Sequence, residues 1–169
     1  MEQMNALRQT ESTLSLINGK ISAIAAKLED LVFRAQRIAT AKKTNQVCPD
    51  TMFGYDLQNF RGEIRRFGQE VEGLPNTIGT IERSAVPNED SVKHAQTILR
   101  LVTHLSQALR NLHDQALITH QAIRESDFKI QAWYLVQEIE QLAQRGQSLP
   151  TAANRVVLAV APPEPGVGK

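Results

Sequence analysis

The chain has 169 residues, of which 41% are hydrophobic, 22% charged and 5% aromatic, and its formal net charge is +1. This length suffices for one ordinary domain with a buried core, and the composition is typical of an α-rich protein. A charge so close to zero, with the basic residues dispersed, gives no reason to expect nucleic acid or an anionic membrane as the main partner. One cysteine excludes an internal disulfide, and no apolar run approaches the ~18 residues of a membrane span. With no signal-like N-terminus, we expect a soluble intracellular protein without membrane insertion.

A first long helix is predicted over residues 4–44. Its apolar residues recur with alternating gaps of four and three, broken only at Thr10, which is the a/d heptad pattern of a helix that packs along a seam. A helix of about 40 residues would be ~60 Å long, which favours a coiled coil or an elongated bundle. The seam residues assigned here to a partner interface are Leu14, Ile17, Ile21, Ile24, Leu28 and Leu31.

A second helix, predicted over residues 52–85, has the most regular heptad pattern in the chain. It follows a loop at Pro49-Asp50, and Pro75 inside it predicts a kink or a break. Its seam residues assigned to a partner interface are Phe53, Leu57, Phe60, Ile64, Phe67 and Val71.

The flanks of these two helices carry opposite charges at equivalent heptad positions. The residues are Lys20, Lys27 and Arg34 on the first helix and Asp56, Glu63 and Glu70 on the second. The two helices would therefore be charge-complementary if they ran antiparallel.

The connector Val86-Pro87-Asn88 is so short that the second helix and a third, predicted over 89–125, should form a helical hairpin. Asn88 with the acidic residues after it is expected to cap the third helix. A change of heptad phase predicts a fourth helix over 127–145, and the remainder is predicted to be a flexible, Pro-containing tail. The third helix contributes to the partner interface Ile98, Val102, Leu105, Leu109 and Leu112.

Together these elements predict an all-α fold of elongated coiled-coil segments with a helical hairpin. Residues 1–46 form the first coiled-coil segment, residues 47–146 the hairpin and terminal helix, and residues 147–169 the tail.

The side chains that most often carry chemistry form no recognisable catalytic or metal-binding motif. The four histidines, at 94, 104, 113 and 120, lack the Glu-x-x-His and His-Glu-x-x-His spacings of di-iron and zinc sites. Cys48 has no histidine ordered beside it, and Gly166-Val167-Gly168-Lys169 opens no helix that could bind phosphate. We therefore expect no enzyme activity, no metal and no cofactor.

Two Phe-Gly dipeptides, Phe53-Gly54 and Phe67-Gly68, place their phenylalanines on the heptad seam, so we interpret both as core residues. Trp133 and Tyr134 are expected at an interface or at the edge of the core.

The predicted hairpin shows a distinctive order of residues, which is Pro49, Phe53, Leu57-Gln58, Phe60, Ile64, Phe67, Gln69, Val71-Glu72, Leu74, Asn76, Pro87, Ala95, Ile98, Leu105, Leu109 and Leu112-His113. The upstream helix adds Ile17, Lys27-Leu28 and the run from Thr40 to Thr44. This order resembles the coiled-coil region of the channel nucleoporins, in the class called the 58/45-kilodalton subunit in vertebrates and the 49-kilodalton subunit in fungi.

The resemblance implies a structural assembly subunit of the nuclear pore complex in the nuclear envelope. Such a subunit joins two sister channel nucleoporins through coiled coils and docks on the linker nucleoporin of the inner ring, in support of protein and mRNA transport. It makes no direct contact with nucleic acid. The alternative is a self-contained cytosolic helical bundle that acts as an adaptor or as a secretion or phage structural protein. A compact monomer that melts cooperatively would favour the bundle over the partner-dependent coil.

Overall fold

The structure is a computed structural model that describes residues 2–47 and 50–163. Within these ranges the chain is helical throughout, with turns between the helices and no strand, so the predicted all-α fold is confirmed. Elongated coiled-coil segments stay a prediction. The helices are α1 (Glu2–Lys43), α2 (Phe53–Glu72), α3 (Leu74–Ser84), α4 (Glu89–Ala122), α5 (Ser126–Gly146) and α6 (Leu149–Val160).

The chain divides into two compact units, and this division differs from the predicted one because each unit combines segments that are distant in sequence. Unit 1 consists of Met1–Gly19, Glu70–Gln107 and Arg145–Lys169, and unit 2 of Lys20–Gln69 and Ala108–Gln144. Each unit thus takes one part of α1 and one part of α4, and it packs them with a second pair of helices.

Unit 1 is a four-helix arrangement of α3, α6 and the first parts of α1 and α4. α1 and α4 run parallel, because Glu11 contacts His94 and, further along both helices, Asn18 Nδ2 donates to the carbonyl of Leu101. α3 packs on α6. The end of α6 meets the start of α4, where the amide of Asn88 donates to the carbonyl of Val160 at 2.9 Å.

Unit 2 is a second four-helix arrangement, formed by α2, α5 and the later parts of α1 and α4. α1 and α2 run antiparallel, since Lys27 pairs with Glu63 while Arg34 pairs with Asp56 at 2.8 Å. The predicted charge complementarity of these helices is confirmed at both pairs. α2 and α5 run parallel, with Phe53 and Phe128 in edge contact near their first turns.

The predicted third helix begins as expected. α4 starts at Glu89, and the side chain of Asn88 accepts a hydrogen bond from the amide of Asp90 at 2.9 Å, which is the geometry of an N-cap. Val86, in the connector at residues 85–88, exchanges hydrogen bonds with the side chain of Gln3 on α1. The helical hairpin of the second and third predicted helices stays a prediction.

The break predicted at Pro75 is confirmed, and it separates α2 from α3 at Gly73. The predicted flexible tail is wrong for residues 149–160, which form α6. Pro150 lies in the first turn of α6, where a missing amide hydrogen costs nothing, and the apolar residues after it recur at helical spacing. The buried residues on this face are Leu149, Ala153, Val156 and Val160.

The two halves of the chain repeat one pattern of helices. In both halves a long helix comes first, and the next helix has a phenylalanine in its first turn. A short helix that begins with Leu-Pro then follows. The corresponding residues are Phe53 and Phe128, Glu63 and Glu138, Ile64 and Ile139, and Leu74-Pro75 and Leu149-Pro150. The α2–α5 and α3–α6 contacts therefore join equivalent helices.

Candidate protein-interaction surface

All seventeen side chains assigned to a partner interface are buried inside the chain itself, each with 6% or less of its surface exposed. Leu14, Ile17, Val71, Ile98, Val102 and Leu105 belong to unit 1, and the other eleven, from Ile21 to Leu112, belong to unit 2. Packing within one chain accounts for every one of them. Their assignment to an interface with another chain stays a prediction, and it would require the helices to separate.

The two Phe-Gly dipeptides are explained by close packing of α5 on α2. Phe53 and Phe67 are buried, as predicted. A Cβ atom at Gly54 would lie 2.6 Å from Phe128 Cε1, and one at Gly68 would lie 3.1 Å from Leu142 Cδ2. Glycine at these positions therefore leaves room for the side chains of α5.

Arg34 organises the junction of α1 and α2. Its guanidinium donates to both carboxylate oxygens of Asp50 and to Asp56 Oδ2, and it lies 5.5 Å from the centre of the Phe53 ring. Asp50 also accepts a hydrogen bond from the amide of Met52, so its carboxylate joins the loop to both helices. The hydrogen bonds from Arg34 hold the pKa of Asp50 below its usual range, against the opposing effect of burial. This cluster is structural, because the Arg34 guanidinium joins the loop at Asp50 to Asp56 on α2.

Exposed aromatic residues mark the outer face of α5. Trp133 is 45% exposed and packs its ring 5.4 Å from His120, while Tyr134 is 48% exposed and lies 5.2 Å from the Arg61 guanidinium. Ile130, one turn earlier, is also exposed. Tryptophan and tyrosine in partly exposed positions are the residues most enriched at the energetic centres of protein interfaces. We call Ile130, Trp133 and Tyr134 the α5 face.

A groove runs between α1 and α4 in unit 2. Its apolar part has a volume of about 290 Å³ and is lined by Leu28, Glu29, Val32, Phe33, Gln36, Gln115, Ile118 and Thr119. Phe33 is 59% exposed and Ile118 is 54% exposed, on opposite sides. Neither belongs to the predicted interface. Contiguous exposed apolar surface is typical of sites that bind another molecule. We call this feature the α1–α4 groove.

Two of the histidines, His94 and His120, have well-defined surroundings. His94 Nδ1 lies 2.7 Å from Glu11 Oε1, and burial lowers the pKa of His120, with a smaller effect from Lys129. Across residues 2–47 and 50–163 no three His, Cys, Asp or Glu side chains are grouped so as to hold a metal ion. Cys48 and the final Gly-Val-Gly-Lys lie outside the described residues.

A scan against protein-family models found no match, and neither did searches of curated proteins and of solved structures. No helix in the described part of the chain combines the length and the apolar character needed to cross a membrane.

Proposed function

We propose that the chain is a self-contained helical bundle that acts as an adaptor. It would bind other proteins through its exposed surface and would not be an enzyme. The observation that carries the proposal is that two sets of apolar residues differ in burial. The heptad seams are filled within the chain, while Phe33, Ile118, Trp133 and Tyr134 remain open to water in unit 2. Burying such side chains against a partner contributes about 1.5–3 kcal/mol each before the costs of association.

Affinity capture with matched variants tests this function. Trp133→Ala combined with Tyr134→Ala, and separately Phe33→Ala, should leave the helical circular dichroism and the melting temperature nearly unchanged, because these side chains are exposed. At least one of the two should lose proteins that the wild-type chain retains from extracts of its source. The control is Leu158→Ala on α6, also exposed but outside unit 2. Identical capture by all variants would contradict the adaptor function.

The nuclear-pore assembly role implied by the resemblance stays a second prediction. It requires different residues of the chain to contact other proteins. There the seam must contact sister coiled coils, so Ile64→Asp should release those partners from a chain that remains helical. In the adaptor proposal Ile64 is a core residue of unit 2, so the same substitution should unfold the isolated chain. Circular dichroism of the variant alone separates the two.

A further inference from the structure

The α1–α4 groove extends beyond its apolar part into a cationic part. Gln36 lines both parts, and the second is formed by Gln36, Ala39, Thr40, Lys42, Lys43, Ala122, Arg124 and Glu125. From Leu28 to Lys43 the α1 wall spans about 24 Å at ~1.5 Å per residue, which matches roughly four turns of a helix. A helix laid in a groove with apolar side chains facing its floor is a common mode of peptide recognition.

The charges of the cationic part are unbalanced. Lys42 pairs with Glu125 at 3.0 Å, whereas among the described residues neither Lys43 nor Arg124 forms an ion pair. Arg37 adds a further positive charge beside the groove, with its guanidinium 5.9 Å from the Phe33 ring. A partner that covers the apolar part while placing carboxylates over Lys43 and Arg124 complements this distribution of charge.

We propose that the α1–α4 groove binds an amphipathic helix of a partner protein. The helix packs its apolar face on Phe33 and Ile118, and its acidic end lies against Lys43 and Arg124. The proposal rests on the adaptor function and specifies the chemical class of the partner for one of its surfaces. Phe33 and Ile118 supply most of the affinity, while the cationic residues set the orientation and the preference for an acidic sequence.

Fluorescence anisotropy with synthetic helical peptides tests the proposal. The probe is an 18-residue peptide with leucines at i, i+3, i+4 and i+7 spacing and three glutamates at one end, prepared with the glutamates at either terminus. The comparison peptides carry lysines in place of the glutamates, or the same residues in scrambled order. We expect one acidic peptide to bind about tenfold more tightly than its lysine counterpart at low salt. Phe33→Ala should weaken that binding by at least about tenfold.

A charge reversal supplies the sharpest arm of the test. Lys43→Glu with Arg124→Glu should reverse the preference, so that the lysine peptide becomes the tighter ligand. Arg66→Glu with Arg83→Glu changes the net charge equally at exposed sites on α2 and α3, and it should leave the order of the peptides unchanged. Equal binding of all the peptides, or an order unchanged by the reversal in the groove, overturns the proposal.

Two further outcomes would also overturn it. Light scattering that shows a dimer of the wild-type chain, lost in Ile118→Glu, would place a second copy in the groove. The second outcome concerns a protein captured by the wild-type chain. If it is lost with Trp133→Ala and Tyr134→Ala but retained in full with Phe33→Ala and Ile118→Glu, the groove is not the binding site, while the adaptor function still holds.

Discussion

Single glycines on α2 show how closely its neighbour approaches. We predict that Gly54→Ala lowers the free energy of unfolding by about 1–3 kcal/mol, because the added methyl group meets the ring of Phe128. Gly62→Ala is the matched control on the same helix. Its Cβ would meet nothing nearer than a flexible arginine end at 3.8 Å, so its better helix propensity should raise that free energy by up to about 1 kcal/mol. Urea denaturation measures both, and equal effects would contradict the close packing of α2 and α5.

A second residue-scale prediction concerns pH. Because the pKa of Asp50 is lower in the folded chain than in the unfolded chain, its contribution is complete above the unfolded value of about 4 and is lost as the pH falls through the folded value. Asp50→Asn should therefore cost about 1.5–3 kcal/mol at pH 7, a figure typical of hydrogen bonds to charged groups. The difference from wild type should shrink as the pH falls below 4. A difference that is constant from pH 7 to pH 3 would show that the carboxylate charge contributes nothing.

At the scale of elements, α6 is the clearest addition to what the sequence predicted. Leu149→Ala should lower the free energy of unfolding by about 2–5 kcal/mol, since Leu149 is fully buried in unit 1. Leu158→Ala on the same helix should change it by no more than about 0.5 kcal/mol, because Leu158 is exposed. Thermal or urea unfolding of the two variants decides between a packed helix and a flexible tail. In a flexible tail, neither substitution would change the free energy of unfolding.

The heptad spacing was enough to predict α1, α4, α5 and the combined span of α2 and α3 to within a few residues, because each buries one continuous stripe of large apolar side chains. α6 was missed because its buried face includes the small residue Ala153 and because Pro150 resembles the end of a helix. In fact proline in the first turn is compatible with helix formation. The Leu-Pro pairs at 74–75 and 149–150 were the available signal for both α6 and the repeat.

The candidate surface was only partly predictable. Trp133 and Tyr134 were expected at an interface or core edge, and the structure places them on the exposed face of α5. Phe33 was overlooked, although it lies between the seam residues Leu31 and Ala35 at a position that a heptad leaves for polar side chains. Ile118 likewise lies outside the set of residues predicted for the interface. Heptad spacing cannot tell which helix covers a seam, so it could not reveal that these two side chains lie across one groove.

At the scale of the whole molecule, the seams that suggested partners in other chains are buried by helices of the same chain. Ile64→Ala in the isolated chain should therefore lower the free energy of unfolding by about 2–5 kcal/mol. The exposed counterpart Ile130→Ala should change it by less than about 0.5 kcal/mol. If Ile64→Ala were as mild as Ile130→Ala, the seam would be open in the isolated chain and available to other proteins.

Hydrogen–deuterium exchange of the dilute chain, shown by light scattering to be monomeric, tests most directly that the seams are filled internally. We expect slow exchange in the seam-bearing segments of α1, α2, α4 and α5, at rates independent of protein concentration, because opening them would expose the core of each unit. Rapid exchange of these segments in the monomer, slowed only by higher concentration or by an added coiled-coil partner, would contradict the account.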